Sequence, residues 1–103
     1  MLKPYHVLLI ALVSLHSTWA QDGSFDAGLA ALQRGHYATA MRAWIRRANE
    51  GIPAAQNNVG HLYEEGFGVA QDYSKAMSWY KQAADQGLAE AQHNVGMLYY
   101  EGY

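Results

Sequence analysis

The 103-residue chain has no cysteine, only two prolines and little net charge of either sign. Without cysteine it can form no disulfide, thiolate nucleophile or cysteine-ligated zinc site. The formal net charge of −2, from seven Lys and Arg against nine Asp and Glu, gives no electrostatic reason to expect nucleic-acid binding. Half of the residues are hydrophobic and 13% are aromatic, which is not a composition that must stay disordered. The length corresponds to one domain at most.

The first twenty residues have the layout of a secretory signal peptide. Lys3 makes the start positive, residues 7–13 are an unbroken apolar run, and Thr18 and Ala20 place small residues before a cleavage site. A membrane anchor is the alternative, but a spanning helix needs about 20 apolar residues. We therefore expect a signal peptide at 1–20, cleavage before Gln21, and no membrane span in the mature chain.

An internal repeat with a period of 36 residues occupies the C-terminal part of the chain. Residues 40–67 align with residues 76–103 without a gap, and 13 of the 28 aligned positions are identical. Periods of about 20–50 residues are typical of solenoids built from stacked supersecondary units. The sequence therefore predicts a repeat architecture.

The apolar spacing within the repeat predicts an all-α protein. Ala55, Val59 and Leu62 recur on one face of a helix, and no alternating apolar–polar run indicates a strand. Ser24 and Asp72 are suitable N-cap residues, because their side-chain oxygens can accept a backbone N–H. The predicted helices cover residues 24–34, 37–50, 53–65, 73–86 and 89–101.

Two glycines occupy the same repeat position in the middle of predicted helices. Gly60 and Gly96 lie 36 residues apart, and each costs about 1 kcal/mol of helix stability relative to alanine. We expect a neighbouring helix to approach closely at both positions.

These repeated positions resemble the Sel1-like repeat family, a relative of the tetratricopeptide repeat. The match covers residues 40–103, and residues 25–44 resemble the degenerate helix pair that often precedes such repeats. The residues that carry the resemblance are Ala55-Gln56, Val59-Gly60, Leu62-Tyr63, Gly66, Gly68-Val69, Asp72, Ala76, Trp79-Tyr80, Ala83-Ala84, Gly87, Ala91-Gln92, Val95-Gly96, Leu98-Tyr99 and Gly102.

The resemblance implies a right-handed α/α superhelix, a solenoid of antiparallel helix pairs. Residues 21–50 would form the degenerate leading pair. Residues 51–103 would hold the repeats, with a full unit at about 52–87 and a partial unit at 88–103.

The family resemblance also implies a protein–protein interaction module, a scaffold or adaptor without catalytic residues, metal or cofactor. With the signal peptide, it indicates export to the periplasm or the exterior of a Gram-negative bacterium. The alternatives are a hydrolase acting on cell wall or glycan, and a structural subunit of an envelope complex. A hydrolase would need converging acid–base groups, whereas the adjacent Glu64 and Glu65 diverge by about 100° on a helix. His36, His61 and His93 lack the i, i+4 spacing of helical metal ligands.

Differences between the repeat copies indicate a candidate binding face. Positions 54, 57, 61 and 64 differ from their counterparts 36 residues later, and they fall within an arc of about 80° on a helix. Solenoids use a variable concave stripe of this kind for recognition, although a merely solvated face would vary as well. The residues predicted to line the partner-binding face are Asn57, His61, Glu64, His93, Met97 and Tyr100.

The second repeat copy reaches Tyr103, the counterpart of Phe67, without a second helix after it. We expect Val95, Leu98 and Tyr99 to face water where that helix would pack. Two interpretations are open. The sequence is a piece of a longer array, which is the favoured interpretation, or the open helix docks on another chain.

Overall fold

The computed structural model describes residues 23–103, which form five helices in series. These are α1 (Ser24–Gln33), α2 (Tyr37–Asn49), α3 (Pro53–Glu65), α4 (Tyr73–Asp85) and α5 (Ala89–Tyr100). The described residues contain no strand, so the all-α prediction is confirmed, and every helix end lies within one residue of its predicted position. The predicted signal peptide at 1–20 lies outside the described residues. No helix in the described range is long and apolar enough to cross a membrane.

The ends of the central helices follow from local side-chain chemistry. Pro53 occupies the first turn of α3, where its missing N–H costs no hydrogen bond. Gly66 ends α3 with a φ of 71°, a left-handed conformation that glycine adopts without steric cost. Asp72 caps α4, because its carboxylate accepts the backbone N–H of Lys75 at 2.9 Å. The predicted N-cap of α1 is wrong by one residue: Gly23 holds that position and Ser24 is the first helical residue.

Each helix packs on the next one along the chain, so the core is a series of contacts and not a single centre. The first core cluster spans α1, α2 and α3 and surrounds the buried Trp44. The second lies between α4 and α5 and consists of Ala76, Tyr80 and Leu98. The expectation that Leu98 faces water is wrong. Its side chain is buried against Ala76 and Tyr80 of α4. Val95 is half-buried, and Tyr99 is exposed as expected.

The 36-residue repeat is visible in equivalent hydrogen bonds. Gln56 Nε2 of α3 donates to the carbonyl oxygen of Ala48 at 3.2 Å. Gln92 Nε2 of α5, its repeat counterpart, donates to the carbonyl oxygen of Ala84 at 3.2 Å. In both copies a glutamine therefore ties the first helix of a unit to the C-terminal turn of the preceding helix.

A stacked aromatic pair is repeated in the same way. The rings of Tyr37 and Phe67 lie with their centroids 4.2 Å apart and an interplanar angle of 8°. The corresponding rings of Tyr73 and Tyr103 are 3.8 Å apart at 11°. Each pair joins the start of the second helix of one unit to an aromatic residue two or three positions after the next helix. Equivalent side chains therefore make equivalent contacts between helices.

Candidate functional site

Three of the six predicted binding residues lie in the interior of the 103-residue chain. Asn57, His61 and Glu64 have no exposed surface in that chain. This burial differs from the open face that the sequence predicts, and the role of these three residues in partner binding stays a prediction.

The contacts of these residues show why they are interior. Asn94 of α5 donates through Nδ2 to Asn57 Oδ1 at 3.0 Å. The Tyr80 hydroxyl of α4 donates to Glu64 Oε1 at 2.6 Å. The His61 ring lies edge-on to Phe67, with the ring centroids 6.2 Å apart. The variable stripe of α3 therefore binds neighbouring parts of this chain.

The three predicted residues on α5 lie differently. Tyr100 is 86% exposed, His93 is also exposed, and Met97 is half-buried. All three lie at the end of the described stack, beyond the helices that enclose α3. Their role in partner binding stays a prediction, and we refer to them below as the α5 stripe.

Tyr80 is held neutral by its surroundings. Burial raises the pKa of its hydroxyl above the ordinary value, and the negative charge of Glu65 raises it further. A neutral phenol keeps its proton and can donate a hydrogen bond to Glu64. This hydrogen bond connects α3 to α4.

A glycine on the first helix of each pair receives an aromatic side chain from the second helix. A Cβ added at Gly28 of α1 would overlap the Trp44 indole of α2. A Cβ at Gly60 of α3 would lie 2.8 Å from the Tyr80 ring of α4. The prediction of a close helix approach is thus confirmed at Gly60.

Gly96 of α5 is the third glycine of this series, and it has no aromatic partner in the described part of the chain. No described atom would lie within 4 Å of a Cβ built there, and the residue is exposed. The expectation of a close neighbour is therefore not met at Gly96 among residues 23–103.

An open groove of about 620 Å³ lies along α4 and is bordered by Tyr99 of α5 and by Tyr103. Its walls include aromatic rings, a methionine and one lysine. Its lining residues include Tyr73, Met77, Lys81, Tyr99 and Tyr103. The Lys81 ammonium lies 5.2 Å from the centre of the Tyr99 ring, within the range of a cation–π contact.

The histidines are dispersed. His36 precedes α2 and is exposed, His61 is buried in α3, and His93 is exposed on α5. Within residues 23–103, no three His, Cys, Asp or Glu side chains come close enough to hold a metal ion.

Serial helix pairs, with the same hydrogen bond and the same ring stack in successive units, define an α/α solenoid repeat protein. The comparisons with known proteins place it more narrowly. The family model "Sel1 repeat" matches residues 53–88 and 89–103. The chain belongs to the Sel1-like repeat family, as the sequence resemblance indicated.

A solved structure supports this assignment. The crystal structure of a Sel1 repeat protein from Oxalobacter formigenes matches 77% of this chain with a TM-score of 0.69 and 37% sequence identity. The chain spans about a third of that structure, 32% of its length. A search of the curated proteins found no significant match.

Proposed function

We propose that this protein is an exported interaction module, a scaffold or adaptor that acts through a contact surface and not through catalysis. Sel1 repeats generally mediate protein–protein interactions. The observation that carries the proposal is the α5 stripe, where Tyr100 is 86% exposed beside His93 and Met97.

The composition of the α5 stripe suits protein recognition. Tyrosine and methionine are enriched at protein interfaces, and tyrosine is enriched among the residues that carry most binding energy. Tyr100 replaces Glu64 of the preceding copy, and Met97 replaces His61, so the second copy is the more apolar one at these two positions. A partner protein that covers this stripe would bury the large tyrosine ring and gain its apolar area.

Binding through the α5 stripe is tested by capturing partners from a cell-envelope extract of the source organism. The intact chain is compared with a triple variant, His93→Ala, Met97→Ala and Tyr100→Ala. The matched control replaces Arg46 and Asn49, two exposed residues of α2, with alanine.

The proposal expects a partner that is retained by the intact chain and the control variant and is lost by the triple variant. Equal retention by the triple variant contradicts the role of the stripe. If the intact chain enriches no protein over an unrelated bait, the interaction function itself is contradicted.

Export rests on the sequence of residues 1–20 and has its own test. These residues are fused to a reporter enzyme that is active only after export. A Leu9→Arg variant places a charge in the apolar run, which a signal peptide does not tolerate, and Leu9→Ile keeps that run apolar as a control. Reporter activity with the native and Leu9→Ile segments, but not with Leu9→Arg, supports export. Activity that survives Leu9→Arg contradicts it.

A further inference from the structure

Tyr100 presents an open aromatic ring on the α5 stripe. The residue is 86% exposed, and within residues 23–103 its ring takes part in no ring stack and no cation–π contact. The face of an aromatic ring attracts a lysine or arginine cation. The Tyr100 ring can therefore receive a cation from outside the chain.

Two other tyrosines of α3 and α5 already hold a cation of this chain. The Lys75 ammonium lies 5.4 Å from the centre of the Tyr63 ring, and the Lys81 ammonium lies 5.2 Å from the centre of the Tyr99 ring. These two lysines are the only Lys or Arg residues that follow α2 in the sequence. Each of them contacts a tyrosine other than Tyr100, so neither neutralises the surface of the α5 stripe.

A carboxylate lies on the same side of α5 as the stripe. Glu90 and the three stripe residues fall within an arc of about 80° on a helix. Glu90 is the counterpart of Ala54, so the second copy carries a charge where the first carries a methyl group. Within the described chain, the half-buried Glu90 takes part in no ion pair and no side-chain hydrogen bond. Its carboxylate is therefore available to a basic group of a partner.

The charge around the stripe has the same sign. The part of the chain that follows α2 and its C-cap Glu50 contains six acidic residues against two lysines. Such an excess of negative charge attracts a basic segment and repels an acidic one. The open ring, the carboxylate and the surrounding charge thus all favour a cationic partner.

We propose that the α5 stripe, together with Glu90, recognises a basic segment of its partner protein in which two arginine or lysine residues flank an apolar side chain. This inference rests on the interaction function proposed above and adds the chemistry of the partner. One cation lies over the Tyr100 ring, the other pairs with Glu90, and the apolar side chain contacts Met97. Arginine suits both positions better than lysine, because its planar guanidinium stacks on aromatic rings and binds carboxylates through two hydrogen bonds.

The distance between the two anchor residues sets the spacing of the basic residues. Tyr100 follows Glu90 by ten residues of the sequence, which is about 15 Å along a helix at about 1.5 Å per residue. An extended partner chain rises about 3.3 Å per residue, and its alternate side chains point to one face. Basic residues four apart, with the apolar residue midway between them, therefore place all three side chains on α5.

The test titrates a fluorescent peptide Arg-Ser-Leu-Ser-Arg, with both ends blocked, with the 103-residue chain and follows the anisotropy. The acidic peptide Glu-Ser-Leu-Ser-Glu is measured beside it. The basic peptide should bind saturably and more weakly at high ionic strength, whereas the acidic peptide should not bind. Glu90→Gln should weaken binding about threefold, as loss of an exposed ion pair does. Tyr100→Leu should lose a similar factor, because leucine is apolar but has no ring to attract a cation.

Asp85→Asn is the matched control. It removes the same charge as Glu90→Gln, but from an exposed position of α4 that lines the groove and not the stripe. Thermal unfolding of each variant checks that its fold is intact. No saturable binding of the basic peptide, equal binding of the acidic one, or equal affinities of Glu90→Gln and Asp85→Asn would overturn this inference. Each of these results leaves the proposed function standing, since capture of a partner through the α5 stripe tests that function separately.

Discussion

At the scale of single residues, Gly60 and Gly96 have the same sequence context but different surroundings. Gly60 provides the space that the Tyr80 ring fills, and Gly96 faces open space in the described chain. The same substitution should therefore have opposite effects at the two positions.

Gly60→Ala should destabilise the chain by about 1–3 kcal/mol, the usual cost of overpacking. Gly96→Ala should stabilise it by up to about 1 kcal/mol, because alanine is the better helix former and meets no steric obstacle. Urea denaturation gives the free energy of unfolding of each variant, and the two values can be compared if the m-values are equal. Similar free energies of unfolding for the two variants would contradict the structure.

Tyr80 gives a prediction on pH. Because the folded pKa of Tyr80 lies above the ordinary value of about 10, the folded state retains this proton at a pH where the unfolded state has lost it. Stability should therefore fall as the pH rises above about 10, by up to about 1.4 kcal/mol per pH unit for this group. A Tyr80→Phe variant should lose this part of the alkaline slope.

The same variant should also be less stable at neutral pH, by about 1–3 kcal/mol, because the Glu64 carboxylate loses this buried donor. The measurement is the free energy of unfolding at several pH values from 7 to about 11. The other tyrosines contribute equally to both proteins. Parallel pH profiles for Tyr80→Phe and the unmodified chain would refute the burial argument.

At the scale of helices, the start of α4 depends on one side chain. Asp72 accepts the Lys75 N–H at 2.9 Å, and Asp72→Ala should cost about 1 kcal/mol, whereas Asp72→Asn should retain most of the stability. Ser74→Ala, an exposed change inside the same helix, serves as the control. Thermal unfolding checks the order, and an Asp72→Ala variant as stable as the control would show that the cap contributes nothing.

The helices themselves follow from short-range sequence features. Apolar spacing, Pro53, Gly66 and Asp72 place the helix ends to within a residue, because these signals act within one or two turns. The solvent exposure of each face does not follow in the same way. Asn57, His61 and Glu64 vary between copies like surface residues, yet they are buried in the 103-residue chain. Asn94 of α5 bonds to Asn57 there, and Tyr80 of α4 bonds to Glu64.

Leu98 illustrates the same limit in the other direction. Its position at an open end suggested exposure, but its side chain points back to α4 and is buried with Ala76 and Tyr80. The first repeat copy indicates this burial. Leu62, its counterpart, lies in the first core cluster with Trp44, the counterpart of Tyr80, so the preceding helix covers the leucine in both copies.

At the scale of the whole molecule, the described chain is a stack in which each helix contacts its neighbours in sequence. Stability in such a stack is close to a sum of units and interfaces. Among the described helices, α5 has a neighbour in sequence on one side only. It carries the exposed Tyr99 and Tyr100, which is why we propose it as the contact element.

The central claim is that the α5 stripe is the partner-contact surface. The most direct measurement is an NMR titration of the isotope-labelled chain with the partner captured from the envelope extract, followed at the backbone amides. The account predicts saturable shifts at His93, Met97 and Tyr100, with the Gly28 amide unmoved. Saturable shifts elsewhere that spare these three residues would contradict it.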